Sequence, residues 1–151
     1  MAGSLGMTPT GMQRTRFGAA RMGVMTSAGR FGAVITCMDG RIQTRTIDQV
    51  MTRFGVRYVD NITSTGAVQH LDGTLTATGE GLLQSLSVSV QAHGTTQVAV
   101  VAHSNCAGNP VSDAKQKEQL QNAAVVIAER FPDLEVLTLF FDPRIGFERV
   151  A

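Results

Sequence analysis

Four short runs of β-branched and apolar residues alternate with segments of helical periodicity, and this order constrains the chain more than any other feature. Ala33-Val34-Ile35-Thr36-Cys37 suits a buried parallel strand. Ile47, Val50, Met51 and Phe54 follow at i, i+3, i+4 and i+7, with Gly55 where a helix end needs a left-handed residue. Val56 to Ile62 is a second strand, and residues 63 to 77, with Gly66 and Gly73, read as a loop, after which Thr78 can cap a helix. Leu82 to His93 fits two patterns. Leu82, Leu83, Leu86 and Val90 share a helical face, whereas Leu86, Val88 and Val90 alternate with serines as in a strand. Helix is the reading taken, because a parallel crossover needs one there. Gln97 to Ala102 is the third strand. Ser112 is an N-cap for a long helix with Leu120, Ala123, Ala124, Ile127 and Phe131 on one face, ended by Pro132, and Glu135 to Phe141 is the fourth strand. The predicted fold is a three-layer α/β domain: a central parallel sheet of about four strands flanked by helices.

A chain of 151 residues, 43% of them hydrophobic, is long enough for one such core and short for two. Its longest apolar run, Ala123 to Ala128, is far below the roughly 20 residues of a membrane-spanning helix. Thirteen basic against twelve acidic residues, without a Lys/Arg cluster, speak against a nucleic-acid partner. Two cysteines are too few for a disulfide scaffold, and no signal-peptide pattern precedes them, so a reducing, cytoplasmic setting is expected. The first 32 residues hold seven of the 16 glycines and five of the seven methionines, with no strand or helix periodicity. They are read as a flexible arm before a domain over 33–151. An organelle transit segment, or a translation start at Met22 or Met25, are further readings of the same stretch.

In an open α/β sheet the functional crevice lies beyond the carboxyl ends of the strands. Strand one ends in Cys37-Met38-Asp39-Gly40-Arg41 and strand three in His103-Ser104-Asn105-Cys106-Ala107-Gly108. A 2-1-3-4 strand order would make these ends neighbours and bring two thiolates and one imidazole to one point. Zinc prefers such donors, and three protein ligands leave its fourth tetrahedral position open. A zinc-bound water loses its proton near neutral pH, and Asp39, kept ionised by Arg41, could orient the resulting nucleophile. Backbone N–H groups and a helix dipole near Cys106 would favour its thiolate. Taken singly, each residue has a plainer reading: Cys37 as a buried apolar cysteine, His103 as a hydrogen-bonded core histidine, Asp39 and Arg41 as a local ion pair. Their convergence is what argues for a site. His93 is read as a helix C-terminal histidine facing the dipole, and His70 as a loop residue.

Cys-x-Asp-x-Arg after the first strand with His-x-x-Cys after the third resembles the β-class carbonic anhydrases, over about residues 33 to 141. The resemblance implies zinc held by Cys37, His103 and Cys106, a catalytic dyad of Asp39 and Arg41, a parallel core in the order 2-1-3-4, and a homodimer or higher homo-oligomer acting on carbon dioxide and bicarbonate. Departures are visible. Ala107-Gly108 stands where the family usually has two glycines, Gly40 where serine is common, and Asp60-Asn61-Ile62-Thr63 gives no clear Arg-Asn-Ala-Gly stretch. The family's N-terminal helices are replaced by the glycine-rich arm. Reversible zinc-dependent hydration of carbon dioxide is the expected activity. The alternatives are carbon disulfide or carbonyl sulfide hydrolysis at the same site, a non-catalytic zinc protein in which Asp39 closes the coordination sphere, and a redox pair of Cys37 and Cys106.

Overall fold

A computed structural model describes residues 30–151. The arm read over residues 1–32 lies almost wholly outside the described residues.

The expected alternation is present. Strand β1 (Phe31–Cys37) leads to helix α1 (Gln43–Phe54), β2 (Tyr58–Ser64), a 3-10 turn (Ala67–Leu71), α2 (Ala77–His93), β3 (Gln97–His103), α3 (Asp113–Arg130), β4 (Glu135–Asp142) and β5 (Gly146–Arg149). The sheet order is β2-β1-β3-β4-β5, with the first four strands parallel and β5 antiparallel to β4. The fifth strand was not anticipated: Gly146-Phe147-Glu148-Arg149 is too short and too polar to announce itself, and a hairpin with β4 creates it. Strand β2 runs two residues later than its apolar run implied.

Period-two alternation divides the core between the sheet's two faces. Ala33, Ile35, Val98, Val100, Ala102 and Phe140 meet α2, α3 and the 3-10 turn. Val34, Ala99, Val101, Leu137 and Leu139 occupy the opposite face with Val50 of α1. The segment Leu82 to His93 is helical, within α2, and its Leu82, Leu83 and Leu86 are buried. Truncating one such fully buried leucine to alanine costs about 2–5 kcal/mol.

Helix ends follow local chemistry. Gly55 adopts φ +63 and closes α1, and Ser112 caps α3 by accepting from the Lys115 N–H, both as expected. The cap of α2 is Thr76, not Thr78: its hydroxyl accepts from the Gly79 N–H. The stretch read as a featureless loop contributes to the core, because the 3-10 turn buries Ala67, Val68 and Leu71. No helix among the described residues is long and apolar enough to cross a membrane.

Candidate metal centre

Parallel pairing places the ends of β1 and β3 side by side, with Thr36 opposite Val101. Beyond that point β1 stays paired with β2 to Cys37 and β3 with β4 to His103, so Cys37 and His103 end their strands, and Cys106 follows in the loop after β3. Their ligand atoms all lie within 4.8 Å of one another, and all three residues are buried. The two sulfurs are 3.7 Å apart. Cys37 Sγ also accepts from the Gly66 N–H at 3.4 Å.

The imidazole supplies the sharpest observation. His103 Nδ1 lies 3.0 Å from the Ser104 carbonyl, which can only accept, so Nδ1 carries the proton and Nε2 presents a lone pair. That Nε2 is buried without a hydrogen-bond partner. A buried polar atom left unpaired costs free energy, so it needs a reason. A metal ion between two thiolates and this nitrogen supplies one, and the donor set suits a borderline-soft cation such as zinc. Burial, the larger influence, lowers the His103 pKa against the Ser104 contact and the Asp39 charge, which keeps the ring neutral as a ligand must be.

Cys106 corrects one expectation. Backbone N–H groups of Gly108 and Asn109 do point at its sulfur and favour the thiolate, yet burial, followed by Cys37, outweighs them and raises the thiol pKa. No helix begins at Cys106: the nearest one, α3, starts at Asp113. Without a cation to stabilise it, this thiolate is disfavoured.

Asp39 stands 4.0 Å from His103 Nε2 through Oδ2 and is outside the converging trio. Arg41 engages both carboxylate oxygens. Its backbone N–H donates to Oδ1 at 2.9 Å, Nε to Oδ1 at 3.0 Å and to Oδ2 at 3.1 Å, and Nη2 to Oδ2 at 2.6 Å. The Arg41 side-chain bond, then its backbone bond, hold the Asp39 pKa at about 2. Arg41 Nη2 also reaches the Asn105 carbonyl at 3.4 Å, tying the dyad to the loop between His103 and Cys106. Asn105 is the one non-glycine residue with positive φ among the described residues, at +53. That conformation lets the chain turn back between the two ligands.

A cavity of about 230 Å³ opens beside the cluster, lined by Arg41, Ile42, Arg45, His103, Asn105 and Phe141 among others. Larger grooves of 640 and 430 Å³ run along α2 and the end of α3 and touch none of the site residues. His93 and His70 lie away from the centre. His93, at the end of α2 as expected, contacts Asp60 Oδ2 through Nδ1 at 2.7 Å and stacks on Phe31. His70 Nδ1 meets Thr76 Oγ1 at 2.9 Å.

The segment of β2 that touches the centre is not Asp60–Thr63 but the turn after the strand. A Cβ on Gly66, at φ +53, would fall 2.7 Å from the Gly108 carbonyl, and one on Gly108 would fall 2.1 Å from Thr65 Cγ2. The two loops therefore interlock through glycine. Ala107 is exposed, which explains why only the second of the expected two glycines is needed. Sequence reasoning also missed Arg45, whose guanidinium lies over the Phe141 ring, and Gln116, which is 1% exposed and donates to the His103 carbonyl at 2.8 Å. A signal for Gln116 existed: it precedes Leu120 by one helical turn, on the buried stripe of α3.

A mostly parallel sheet that gathers two thiols and an imidazole with an unpartnered Nε2 at its carboxyl edge defines an α/β domain able to hold a metal ion. The sequence model of the family described as "Putative carbonic anhydrase" matches residues 27–151, and the chain belongs to that family. Among solved structures, the apo form of a carbon disulfide hydrolase shares the fold with a TM-score of 0.58 at 13% identity, covering 89% of this chain and 85% of that one. A tetrameric β-carbonic anhydrase of the filamentous ascomycete Sordaria macrospora gives a TM-score of 0.45 at 15% identity, covering 89% of this chain and 90% of that one. The β-carbonic anhydrase CafA of the fungal pathogen Aspergillus fumigatus gives 0.44 at 14% identity, covering 89% and 83%. No curated protein matches the sequence significantly.

Proposed function

We propose that this protein is a zinc-dependent enzyme that hydrates carbon dioxide reversibly to bicarbonate, with Cys37, His103 and Cys106 as metal ligands and Asp39 and Arg41 as the catalytic dyad. The observation that carries the reading is the buried, unpartnered Nε2 of His103, on a residue whose ligand atom lies within 4.8 Å of two cysteine sulfurs. When bound, the metal supplies a Lewis acid that makes water a nucleophile near neutral pH.

The chain's own residues divide the remaining work. With a pKa of about 2, Asp39 is too weak a base to take a proton at neutral pH, so its part is to remain an acceptor and fix the direction of the reacting water's O–H. Arg41 fixes that carboxylate through four hydrogen bonds and keeps it from closing on the metal as a fourth ligand. Arg41 and Arg45 give the adjoining cavity a positive lining suited to an anionic product. A homo-oligomer, as the family resemblance implies, and a reducing compartment belong to the same proposal, because Cys37 and Cys106 hold a metal only as thiolates.

Stopped-flow carbon dioxide hydration by protein of measured zinc content, with carbonyl sulfide and carbon disulfide run in parallel, tests the reading. Turnover of carbon dioxide proportional to zinc supports it. Turnover of the sulfur compounds alone assigns the hydrolase activity instead, and full zinc without turnover of any of the three assigns a non-catalytic protein.

A further inference from the structure

Three glutamines from three different elements donate their side-chain amides to the backbone that carries the candidate ligands. Gln43, the first residue of α1, donates to the Cys37 carbonyl at 2.6 Å and to the Asp39 carbonyl at 3.2 Å, while its own Oε1 accepts from Asn61 at 2.9 Å. Gln69, in the 3-10 turn, donates to the Gly108 carbonyl at 2.5 Å and to the Gly66 carbonyl at 3.1 Å, joining the loop after Cys106 to the loop whose N–H meets Cys37 Sγ. Gln116, in α3, donates to the His103 carbonyl at 2.8 Å. Each ligand-bearing segment thus has one brace. The Cys106 segment is reinforced by Asn109, whose N–H donates to the Cys106 carbonyl at 3.3 Å and whose side chain donates to buried Gln119 at 2.7 Å.

We propose that Gln43, Gln69 and Gln116 are positioning residues that hold Cys37, His103 and Cys106 in ligand geometry before a metal arrives, an inference that rests on the metal-site reading above.

Two physical arguments favour this over a purely structural role. First, Gln116 and Gln119 sit on the same buried face as Leu120, Ala123 and Ile127. Ordering and desolvating a glutamine there costs more than burying a leucine, so fold stability alone selects leucine. Second, the residue type fits the charge of the site. A neutral amide donates to a carbonyl without adding charge; glutamate would only accept, and lysine would put a competing cation beside the metal. The convergence the amides enforce is already in place, with sulfurs 3.7 Å apart, all three ligand atoms within 4.8 Å of one another, and His103 Nε2 unpartnered. Pre-organisation of this kind raises affinity by removing the cost of ordering the ligands on binding.

The test compares the parent protein with Gln116→Leu, Gln43→Met and the control Gln97→Leu, whose glutamine lies at the opposite end of β3 and donates to Glu135. Zinc and cobalt(II) affinities are measured by chelator competition, the visible spectrum of the cobalt form reports ligand geometry, and circular dichroism reports the fold. The proposal expects Gln116→Leu and Gln43→Met to bind either metal about 10 to 100-fold more weakly, as loss of outer-shell partners does, with altered cobalt bands, and Gln97→Leu to match the parent. Affinities within about twofold of the parent and superimposable cobalt spectra in both site variants overturn it while leaving the metal site standing. A parent that binds neither metal overturns the metal reading and this inference together. If Gln116→Leu fails to fold, Gln43→Met decides alone, because Gln43 is only half-buried at the start of α1.

Discussion

The chain contains the same ion pair twice. Asp39-Gly40-Arg41 follows β1, and Asp142-Pro143-Arg144 starts on the last residue of β4. In the second copy the Arg144 N–H donates to Oδ1 at 2.9 Å, Nε to Oδ1 at 3.0 Å and to Oδ2 at 3.2 Å, and Nη2 to Oδ2 at 2.6 Å, within 0.1 Å of the first throughout. Both carboxyl groups are held at about 2 for the same reason, the arginine side-chain bond first and its backbone bond second. They differ in what stands beyond the arginine. The next titratable neighbour of Asp39 is His103, whereas that of Asp142 is Lys117 on the surface of α3. Asp-x-Arg is thus a stable way to finish a strand, and its chemical role comes from the strand it finishes. The pair after β1 adjoins the trio of ligand atoms, and the pair after β4 only closes the hairpin to β5.

Breaking the asymmetry at its source should have the largest effect. Cys106→Ser removes a soft ligand and leaves an alcohol that stays protonated, so zinc content should fall from one per chain to none and hydration to background, leaving Asp39 as idle as Asp142. Metal analysis alongside stopped-flow rates checks this. Next comes the pair of matched substitutions. On the proposed function Asp39→Asn should keep zinc and lose activity by about 10 to 100-fold, and Asp142→Asn should keep both, since that reading gives only the first carboxylate a reacting group to orient. Equal rates in the two variants would erase the distinction.

A sharper contrast follows from the arginines. Arg41→Ala frees Asp39, 4.0 Å from His103 Nε2, to move onto the metal, and the outcome should be a zinc-loaded protein with little turnover and an altered cobalt spectrum. Arg144→Ala has no such route and should give parental spectra and rates. The smallest effect is the one the two pairs share. Each aspartate has a folded pKa of about 2 against an ordinary 3.8, so its stabilising contribution is complete above the ordinary value and is lost as the pH falls through about 2. In metal-free protein, Asp39→Asn and Asp142→Asn should therefore lower Tm by similar small amounts at pH 5 to 7. Both gaps should close as the pH approaches 2, which thermal melts along a pH series will show.

The same comparison marks what could be read from the chain. Strands β1, β3 and β4 were legible because burial on both faces requires continuous apolar runs, and the candidate trio was legible because Cys37, His103 and Cys106 stand at or just beyond the ends of those runs. The braces were not. Gln43 and Gln69 carry no periodic signature, since what they contact is backbone, and backbone contacts leave no trace in side-chain pattern. The turn at Gly66–Leu71 was hidden by its glycine and its neighbouring threonines, which look like loop even where Val68 and Leu71 enter the core. The second Asp-x-Arg was in plain view, and only position in the sheet tells it from the first.

The interlock of the Gly66 and Gly108 loops sets a schedule for folding. Gln69 and Gly108, hydrogen-bonded across it, are 39 residues apart, and the two cysteines 69 apart. Neither contact can form before β1, β2 and β3 have paired, and closing such long loops is the slow part of building a parallel sheet. The candidate metal centre therefore assembles only after those three strands. A chain refolding in the presence of cobalt(II) should develop thiolate-to-cobalt absorption with its slowest phase, making the colour of the site a clock for the pairing of β1, β2 and β3.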